Sequence, residues 1–204
     1  MNLIPSQIRN DIRSARNSVS QVMRAQWSEQ ICERLVQLSE FAGSRNVAAF
    51  LAHDGEADPI GCMTEAYRRG KNVFVPVILG KAQPLKFAPW TPTAEMQANR
   101  FGILEPVVEE SSWIDPSELD FVVTPLVAFD GFCNRIGMGG GYYDRTFSFL
   151  NQEQCGGVDG ASPLGRSVFL AGFAFDLQKV DSIENQPWDV PLDCAVTEVD
   201  FYSP

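Results

Sequence analysis

The sequence contains a single histidine, His53, and this scarcity limits the catalytic arrangements that the chain can build. The five cysteines are scattered, odd in number and free of any CxxC pair, which indicates a reducing compartment and argues against a zinc site. A cysteine–histidine dyad would have to use His53, which we interpret as a loop residue beside a turn at Gly55 and Glu56. Cysteine and zinc chemistry are therefore poor explanations of this protein.

Positive charge and long apolar runs are also in short supply. The 204 residues carry 16 Lys and Arg against 26 Asp and Glu, a formal net charge of −10, which argues against nucleic acid or an anionic membrane as a partner. No apolar run approaches the roughly 20 residues that cross a bilayer. We expect one domain, residues 1–204, acting as a cytoplasmic monomer. An anionic substrate would need a local cluster of arginines.

The standard phosphate-binding motifs are missing, because neither a Walker loop nor the dinucleotide fingerprint GxGxxG occurs. Four glycines nevertheless fall within residues 137–141, behind an apolar run at 121–129 that predicts a buried strand. Glycine lets backbone N–H groups approach an anion closely, and Arg135 and Arg145 on either side supply positive charge. Asp144 adds a hard oxygen for a divalent cation. The segment therefore predicts a loop for a phosphorylated ligand and its metal.

The remaining apolar patterns predict an α/β fold with three layers, α/β/α, around a mostly parallel central sheet. Helical spacing predicts a helix over about 6–18 and another after an N-cap at Ser20. An Asp58–Pro59 pair predicts the start of a helix that runs to about Arg69. Short apolar runs predict the strands, which are residues 47–51, 72–79, 121–126 and 168–175.

Two loops complete this outline. Ligands of such sheets bind at the carboxyl ends of the strands, so Glu56 and the glycine segment should face the same crevice. Residues 155–167 are rich in glycine and have no apolar period, and we interpret them as a mobile surface loop.

The stretch from Pro125 to Arg145 resembles the signature of the 5-formyltetrahydrofolate cyclo-ligase (5,10-methenyltetrahydrofolate synthetase) family, which is close to P-x-x-A-F-D-x-x-G-x-R-L-G-x-G-x-G-Y-Y-D-R. The matching residues are Pro125, Ala128, Phe129, Asp130, Arg135, Gly137, Gly139, Gly141, Tyr142, Tyr143, Asp144 and Arg145. Shorter matches lie elsewhere in the chain, namely Arg9, Ile12 and Arg13; Phe50, Leu51, Gly55 and Glu56; Gly102, Ile103, Glu105 and Pro106; and Asp189, Pro191 and Asp193.

The resemblance implies that ATP and 5-formyltetrahydrofolate give 5,10-methenyltetrahydrofolate, ADP and phosphate through a phosphorylated formyl group. It implies that Asp144 and Asp189 hold Mg²⁺, that Leu51 and Glu56 hold the pterin, and that Arg135 and Tyr142 take part in catalysis. The residues that it assigns to ATP are Arg9, Arg13, Arg135, Gly137, Met138, Gly139, Gly140, Gly141, Tyr142 and Tyr143. Of these, the run from Met138 to Tyr142 is also assigned to the folate.

Three positions depart from the family pattern. Arg9 and Gly140 stand where many relatives have lysine, and Pro59 stands where many have threonine. Arginine at position 9 keeps the charge but changes its geometry, and glycine at position 140 removes one phosphate partner.

Arg135 is expected on an exposed loop, so that Arg135→Ala would lower turnover and leave the melting temperature (Tm) nearly unchanged.

Two other classes of function stay open at this point. A catalytically idle protein could bind 5-formyltetrahydrofolate without turning over ATP, although Arg135, Asp144 and Asp189 are all in place. A relative of the sugar-phosphate isomerases or CoA-transferases would suit the strand pattern alone. The long match through Arg145 disfavours it.

Overall fold

A computed structural model describes residues 4–99, 102–153 and 167–204. Its α-helices are α1 (Pro5–Ser18), α2 (Gln21–Leu35), α3 (Ser39–Gly43), α4 (Ile60–Arg68), α5 (Tyr142–Thr146) and α6 (Leu150–Glu153). Its strands are β1 (Asn46–Ala49), β2 (Asn72–Val77), β3 (Lys86–Pro89), β4 (Met96–Ala98), β5 (Leu104–Pro106), β6 (Phe121–Thr124), β7 (Ala128–Phe129), β8 (Arg135–Ile136), β9 (Phe169–Phe173), β10 (Cys194–Val196) and β11 (Phe201–Tyr202).

Seven of these strands form one sheet in the order β11-β10-β9-β6-β1-β2-β3. The five inner strands run parallel, and the edge strands β3 and β11 are antiparallel to their neighbours. The strands β4 and β5 form a separate hairpin, as do β7 and β8. The sheet is mostly parallel, as the sequence predicts.

Alternate residues of the central strands pack on opposite faces of the sheet, which produces the three layers. On one face, Val47 and Val123 join a cluster with residues of α2, α3 and α4, including Phe41 and Met63. On the other face, Val122 joins a second cluster with Phe147, Leu150 and other residues. Because both faces are covered, the strands read as continuous apolar runs.

Local side chains explain where the helices begin. The Ser20 hydroxyl accepts a hydrogen bond from the Met23 amide and caps α2, as predicted. The predicted start of α4 is off by one residue, because Pro59 itself is the N-cap and α4 begins at Ile60. Asp58 still contributes, since its carboxylate accepts the Ile60 amide at 3.0 Å.

The strands are shorter than the apolar runs that predict them, because each run continues past the last sheet hydrogen bond. The region predicted as a mobile loop, residues 155–167, lies outside the described residues except for Ser167. Within the described ranges, no helix is both long enough and apolar enough to cross a membrane.

Candidate active site

A cleft of about 1540 Å³ opens between α1, the glycine segment and the chain that precedes β10. Arg9 and Ile8 of α1 line one side, and Gly137, Gly139 and Gly141 line a second. The opposite wall consists of residues 180–184 and 186–189, including Trp188, whose surface is 66% exposed. The cleft brings residues from distant parts of the sequence to one place.

The buried Asp130 carboxylate sets the shape of this wall. It accepts hydrogen bonds from the amides of Phe132, Asn134 and Ile183, so it both closes the β7–β8 hairpin and holds the 180–184 segment against it. The signature aspartate at this position is therefore a scaffold residue.

The glycine segment is held by two arginines. Arg9 Nε donates to the Gly137 carbonyl at 2.8 Å, and Arg145 Nη2 donates to the Gly140 carbonyl at 2.6 Å. Gly139 and Gly141 have φ values of +94° and +62°, in the left-handed region that favours glycine. A Cβ at Gly141 would also lie 2.7 Å from Arg145 Nη1, so no other residue fits there without a shift.

Arg145 also places a positive charge next to Gly140. Its guanidinium lines the cleft and lies over the Tyr142 ring, 5.3 Å from the centroid, next to Gly140. Its Nε atom is buried and has no hydrogen-bond partner among the described residues. A cation therefore stands beside Gly140 even though the residue itself has no side chain.

Arg135 is buried, so the expectation of an exposed loop arginine is wrong. Its side chain is 5% exposed, its Nη2 donates to Asp144 Oδ1 at 2.6 Å, and its Nη1 donates to the Val190 carbonyl. Burial lowers the pKa of Arg135, and the negative charges of Asp144 and Asp189 oppose that shift. Arg135 thus joins α5 to the wall that carries Asp189, and its guanidinium is already engaged.

The two carboxylates assigned to metal both line the cleft, and each has one oxygen bonded to the protein. Asp144 Oδ1 is held by Arg135 and by the Val190 amide at 3.3 Å, while Asp189 Oδ2 accepts the Gln186 amide at 2.9 Å. Within the described part of the chain, the second oxygen of each carboxylate has no such partner. Two carboxylates that line one cleft and each keep one oxygen without a protein partner suit Mg²⁺, which takes few protein ligands and completes its shell with phosphate and water.

The folate end of the predicted site begins with a tight turn after β1. Asp54 and Gly55 have φ values of +50° and +73°, and α1 holds this turn through the Asp54 carboxylate. Arg13 Nε donates to Asp54 Oδ2 at 2.8 Å, and Asn17 Nδ2 donates to Oδ1 at 3.3 Å. Arg13, which the resemblance assigns to ATP, therefore pairs with the turn and does not line the cleft, although its side chain is 40% exposed.

Glu56 lies at the end of this turn, with its side chain 14% exposed. Its Oε2 accepts the His53 amide at 3.1 Å, and its Oε1 lies 4.0 Å from Arg16 Nη1. Burial raises the pKa of Glu56 above its usual value, and the His53 amide and the Arg16 charge oppose that shift. The Glu56 charge also adds to burial in raising the pKa of Tyr143, so α5 and the turn lie close together.

The structure thus separates the predicted site residues into two groups. Those that line the cleft are Arg9, Arg135, Gly137, Gly139, Gly141, Asp144 and Asp189. Those that do not line it are Arg13, Leu51, Glu56, Met138, Gly140, Tyr142 and Tyr143, of which Leu51 packs against the core and Met138 is 54% exposed.

Sequence reasoning gave Arg145 only a general role as positive charge beside the glycines, and it assigned no role to Trp188 or Arg16. The signature contains Arg145, and Arg16 shares a helix face with Arg9 and Arg13 at the i+7 position, so both carried a signal. Trp188 precedes Asp189 without any pattern that marks it.

Comparisons with known proteins all point to one family. Residues 4–198 match the family model described as the 5-formyltetrahydrofolate cyclo-ligase family. The 5-formyltetrahydrofolate cyclo-ligases of Haemophilus influenzae and Escherichia coli K12 are each 33% identical over 187 residues, which is 91% of this chain and 93% and 96% of theirs. The NMR structure of Aquifex aeolicus 5,10-methenyltetrahydrofolate synthetase superposes with a TM-score of 0.79 at 27% identity, covering 98% of this chain and 93% of that one.

Proposed function

The chain belongs to the 5-formyltetrahydrofolate cyclo-ligase family and is a ligase, and from this premise we propose that it uses ATP to close 5-formyltetrahydrofolate into 5,10-methenyltetrahydrofolate. The observation that carries the proposal is the cleft. It brings Arg9, Arg145, Asp144 and Asp189 together around a glycine backbone, as a nucleoside triphosphate and its cation require.

The reaction needs ATP because a formamide is a poor electrophile. Transfer of the γ-phosphoryl group to the formyl oxygen breaks the bond to ADP and turns that oxygen into a good leaving group. N10 of the folate then attacks the formyl carbon, and the C–O bond breaks to release phosphate as the five-membered ring closes. In phosphoryl transfer of this kind the protein mainly positions the reactants and neutralises charge.

Arg9 and Arg145 hold the triphosphate in this proposal, from opposite ends of the glycine segment. Each already donates to a glycine carbonyl, so the remaining N–H groups of each guanidinium can turn to phosphate oxygens. Arg135 acts indirectly, by fixing Asp144. Arg13 also acts indirectly in this proposal, by bonding to Asp54 in the turn that carries Glu56. The Tyr142 ring packs against the Arg145 guanidinium and holds it in place.

Asp144 and Asp189 hold Mg²⁺ in this proposal, each through the oxygen that the protein leaves unengaged. When bound, the cation would offset the negative charge that develops on the transferred phosphoryl group. Arg135 and the Gln186 amide keep the two carboxylates oriented toward the cleft.

The pterin binds at Glu56 and Leu51, next to the cleft. The aminopyrimidine edge of a pterin offers paired N–H donors, and an ionised carboxylate accepts both of them. Met138 and its glycine neighbours, Gly139 to Gly141, contact the folate in this proposal, and the Met138 side chain is exposed and available for that contact. We place the enzyme in the cytoplasm as a monomer without nucleic acid or membrane partners.

A single assay tests this function. The absorbance of methenyltetrahydrofolate is followed after 5-formyltetrahydrofolate is added to the purified protein with ATP and Mg²⁺, without ATP, and after EDTA treatment. We expect product only in the complete mixture, with one ADP released per turnover. Tight folate binding without any product would instead indicate an idle folate-binding protein, and equal product after EDTA would remove the metal assignment.

A further inference from the structure

Arg16 is a fully buried arginine whose charge has few partners. Its side chain has 0% exposure. Nη2 donates to the Asp54 carbonyl at 2.7 Å and lies 3.5 Å from Asp54 Oδ2. Its Nε and Nη1 atoms are buried and have no hydrogen-bond partner among the described residues.

Such a side chain is costly to bury. The guanidinium stays protonated, and buried donors without partners destabilise the fold compared with an apolar side chain of similar volume. Packing alone would therefore favour a residue such as methionine at this position. Asp54 engages Nη2, and Nη1 lies 4.0 Å from Glu56 Oε1, which makes Glu56 the second carboxylate within ion-pair distance of the guanidinium.

The other groups around Glu56 supply less positive charge than Arg16 does. On its own loop, the His53 amide bonds to Oε2 and favours the ionised form, the His53 side chain adds a weaker positive contribution than Arg16, and Asp54 adds a negative charge that opposes ionisation. From α5, Tyr143 is neutral, and its pKa is raised by burial and then by Glu56. Burial raises the pKa of Glu56, and Arg16 is the arginine that counters it.

We propose that Arg16 is a positioning residue that keeps the Glu56 carboxylate ionised and oriented so that it accepts the N–H donors of the pterin. The proposal rests on the proposed function, in which Glu56 binds the folate. Arg16 does not touch the substrate. It acts from α1 through Glu56, in the same way that Arg13 holds Asp54 one turn earlier on the helix.

The test compares Arg16→Met, which keeps the volume and removes the charge, with Arg16→Lys, which keeps the charge. Calorimetric titration gives the Kd of each variant for 5-formyltetrahydrofolate and, separately, for ATP. We expect Arg16→Met to weaken folate binding at least about tenfold, with ATP affinity within about twofold, and Arg16→Lys to restore much of the loss. Arg34→Met is the matched control, because Arg34 is a helix arginine that donates to the Glu198 and Val199 carbonyls instead.

A double-mutant cycle with Glu56→Gln separates this role from a structural one. If Arg16 acts through the charge of Glu56, Arg16→Met adds little further loss of folate affinity in the Glu56→Gln background. The fall of folate affinity at low pH should also begin at a higher pH in Arg16→Met, because the pKa of Glu56 rises when the positive charge of Arg16 is removed. Should Arg16→Met alone fail to fold, Arg16→Lys and the double variant, in which no charge is left unpaired, carry the same comparison.

Equal losses for folate and ATP, or a full Arg16→Met effect in the Glu56→Gln background, would overturn the role of Arg16. Failure of the proposed function is seen separately, as a wild-type protein that does not bind or convert 5-formyltetrahydrofolate.

Discussion

Replacement of Arg135 by alanine should destabilise the fold as well as stop turnover. The guanidinium is buried, and it ties together Asp144 on α5 and the Val190 carbonyl ahead of β10. Alanine would leave the half-buried Asp144 carboxylate with only the Val190 amide as its donor, and it would leave the Val190 carbonyl without the Arg135 guanidinium. It would also leave a cavity where the arginine stem was.

The expected magnitude follows from the burial of Arg135. Loss of one partner from a buried ion pair typically costs about 3–5 kcal/mol. A domain of this size loses about 2–4 °C of Tm per kcal/mol, so Tm should fall by roughly 6–20 °C. Thermal unfolding followed by circular dichroism measures this directly, and turnover is assayed well below the new Tm so that any loss of activity is not caused by unfolding.

Arg68→Ala provides the matched control, because Arg68 pairs with Glu65 at 2.7 Å on the exposed surface of α4. Solvent screens that pair, so its loss should change Tm little. Arg135→Lys should fall between the two, since one ammonium cannot serve both partners at once. A Tm for Arg135→Ala as close to wild type as that of the Arg68 control would refute the structural role of Arg135.

Three further predictions follow from the two ends of the site. Glu56→Gln should weaken binding of 5-formyltetrahydrofolate by about 1.5–3 kcal/mol and leave ATP binding unchanged by titration, because the pterin loses a charged acceptor; unchanged folate affinity would place Glu56 outside the site. Asp144→Asn should abolish most turnover, lower Tm and weaken the dependence of turnover on Mg²⁺. Asp189→Asn should raise the Mg²⁺ concentration that turnover requires, with little change in Tm. If turnover of both variants depends on Mg²⁺ as that of the wild type does, neither carboxylate is a ligand. The pKa of Glu56 is raised, so its carboxylate is ionised above that pKa and becomes protonated as pH falls through it. Folate affinity should therefore begin to fall at a higher pH than it would with an ordinary glutamate. If Glu56→Gln shows the same fall in folate affinity, another group is responsible for it.

The sequence predicted the fold well because its elements carry local signals. Buried parallel strands read as apolar runs, and the Ser20 cap marks α2 by its side chain alone. The boundaries were less certain, because the last residues of an apolar run can pack into the core without a strand partner, as Leu126 does. The observed start of α4 differs from the predicted one by one residue, because Asp58 and Pro59 can each be the N-cap and only the backbone conformation decides between them.

The site was harder to predict, because the partners of an arginine lie far away in sequence. Arg135 follows a polar turn and looks exposed, yet Val190, 55 residues later, buries it. Arg13 shows the same limit, because nothing in its local sequence predicts that its guanidinium pairs with Asp54, 41 residues away. Residue types therefore predict the chemistry of the site, whereas the partners of each arginine are set by tertiary contacts that the local sequence does not show.

The central claim is that ATP phosphorylates the formyl oxygen, and isotope transfer tests it most directly. The substrate is 5-formyltetrahydrofolate with ¹⁸O in the formyl group, turned over with ATP and Mg²⁺ in unlabelled water, and the released phosphate is analysed by mass spectrometry. The account predicts that each phosphate carries one ¹⁸O atom, because the formyl oxygen leaves with the phosphoryl group. Phosphate without the label, formed together with methenyltetrahydrofolate, would contradict it.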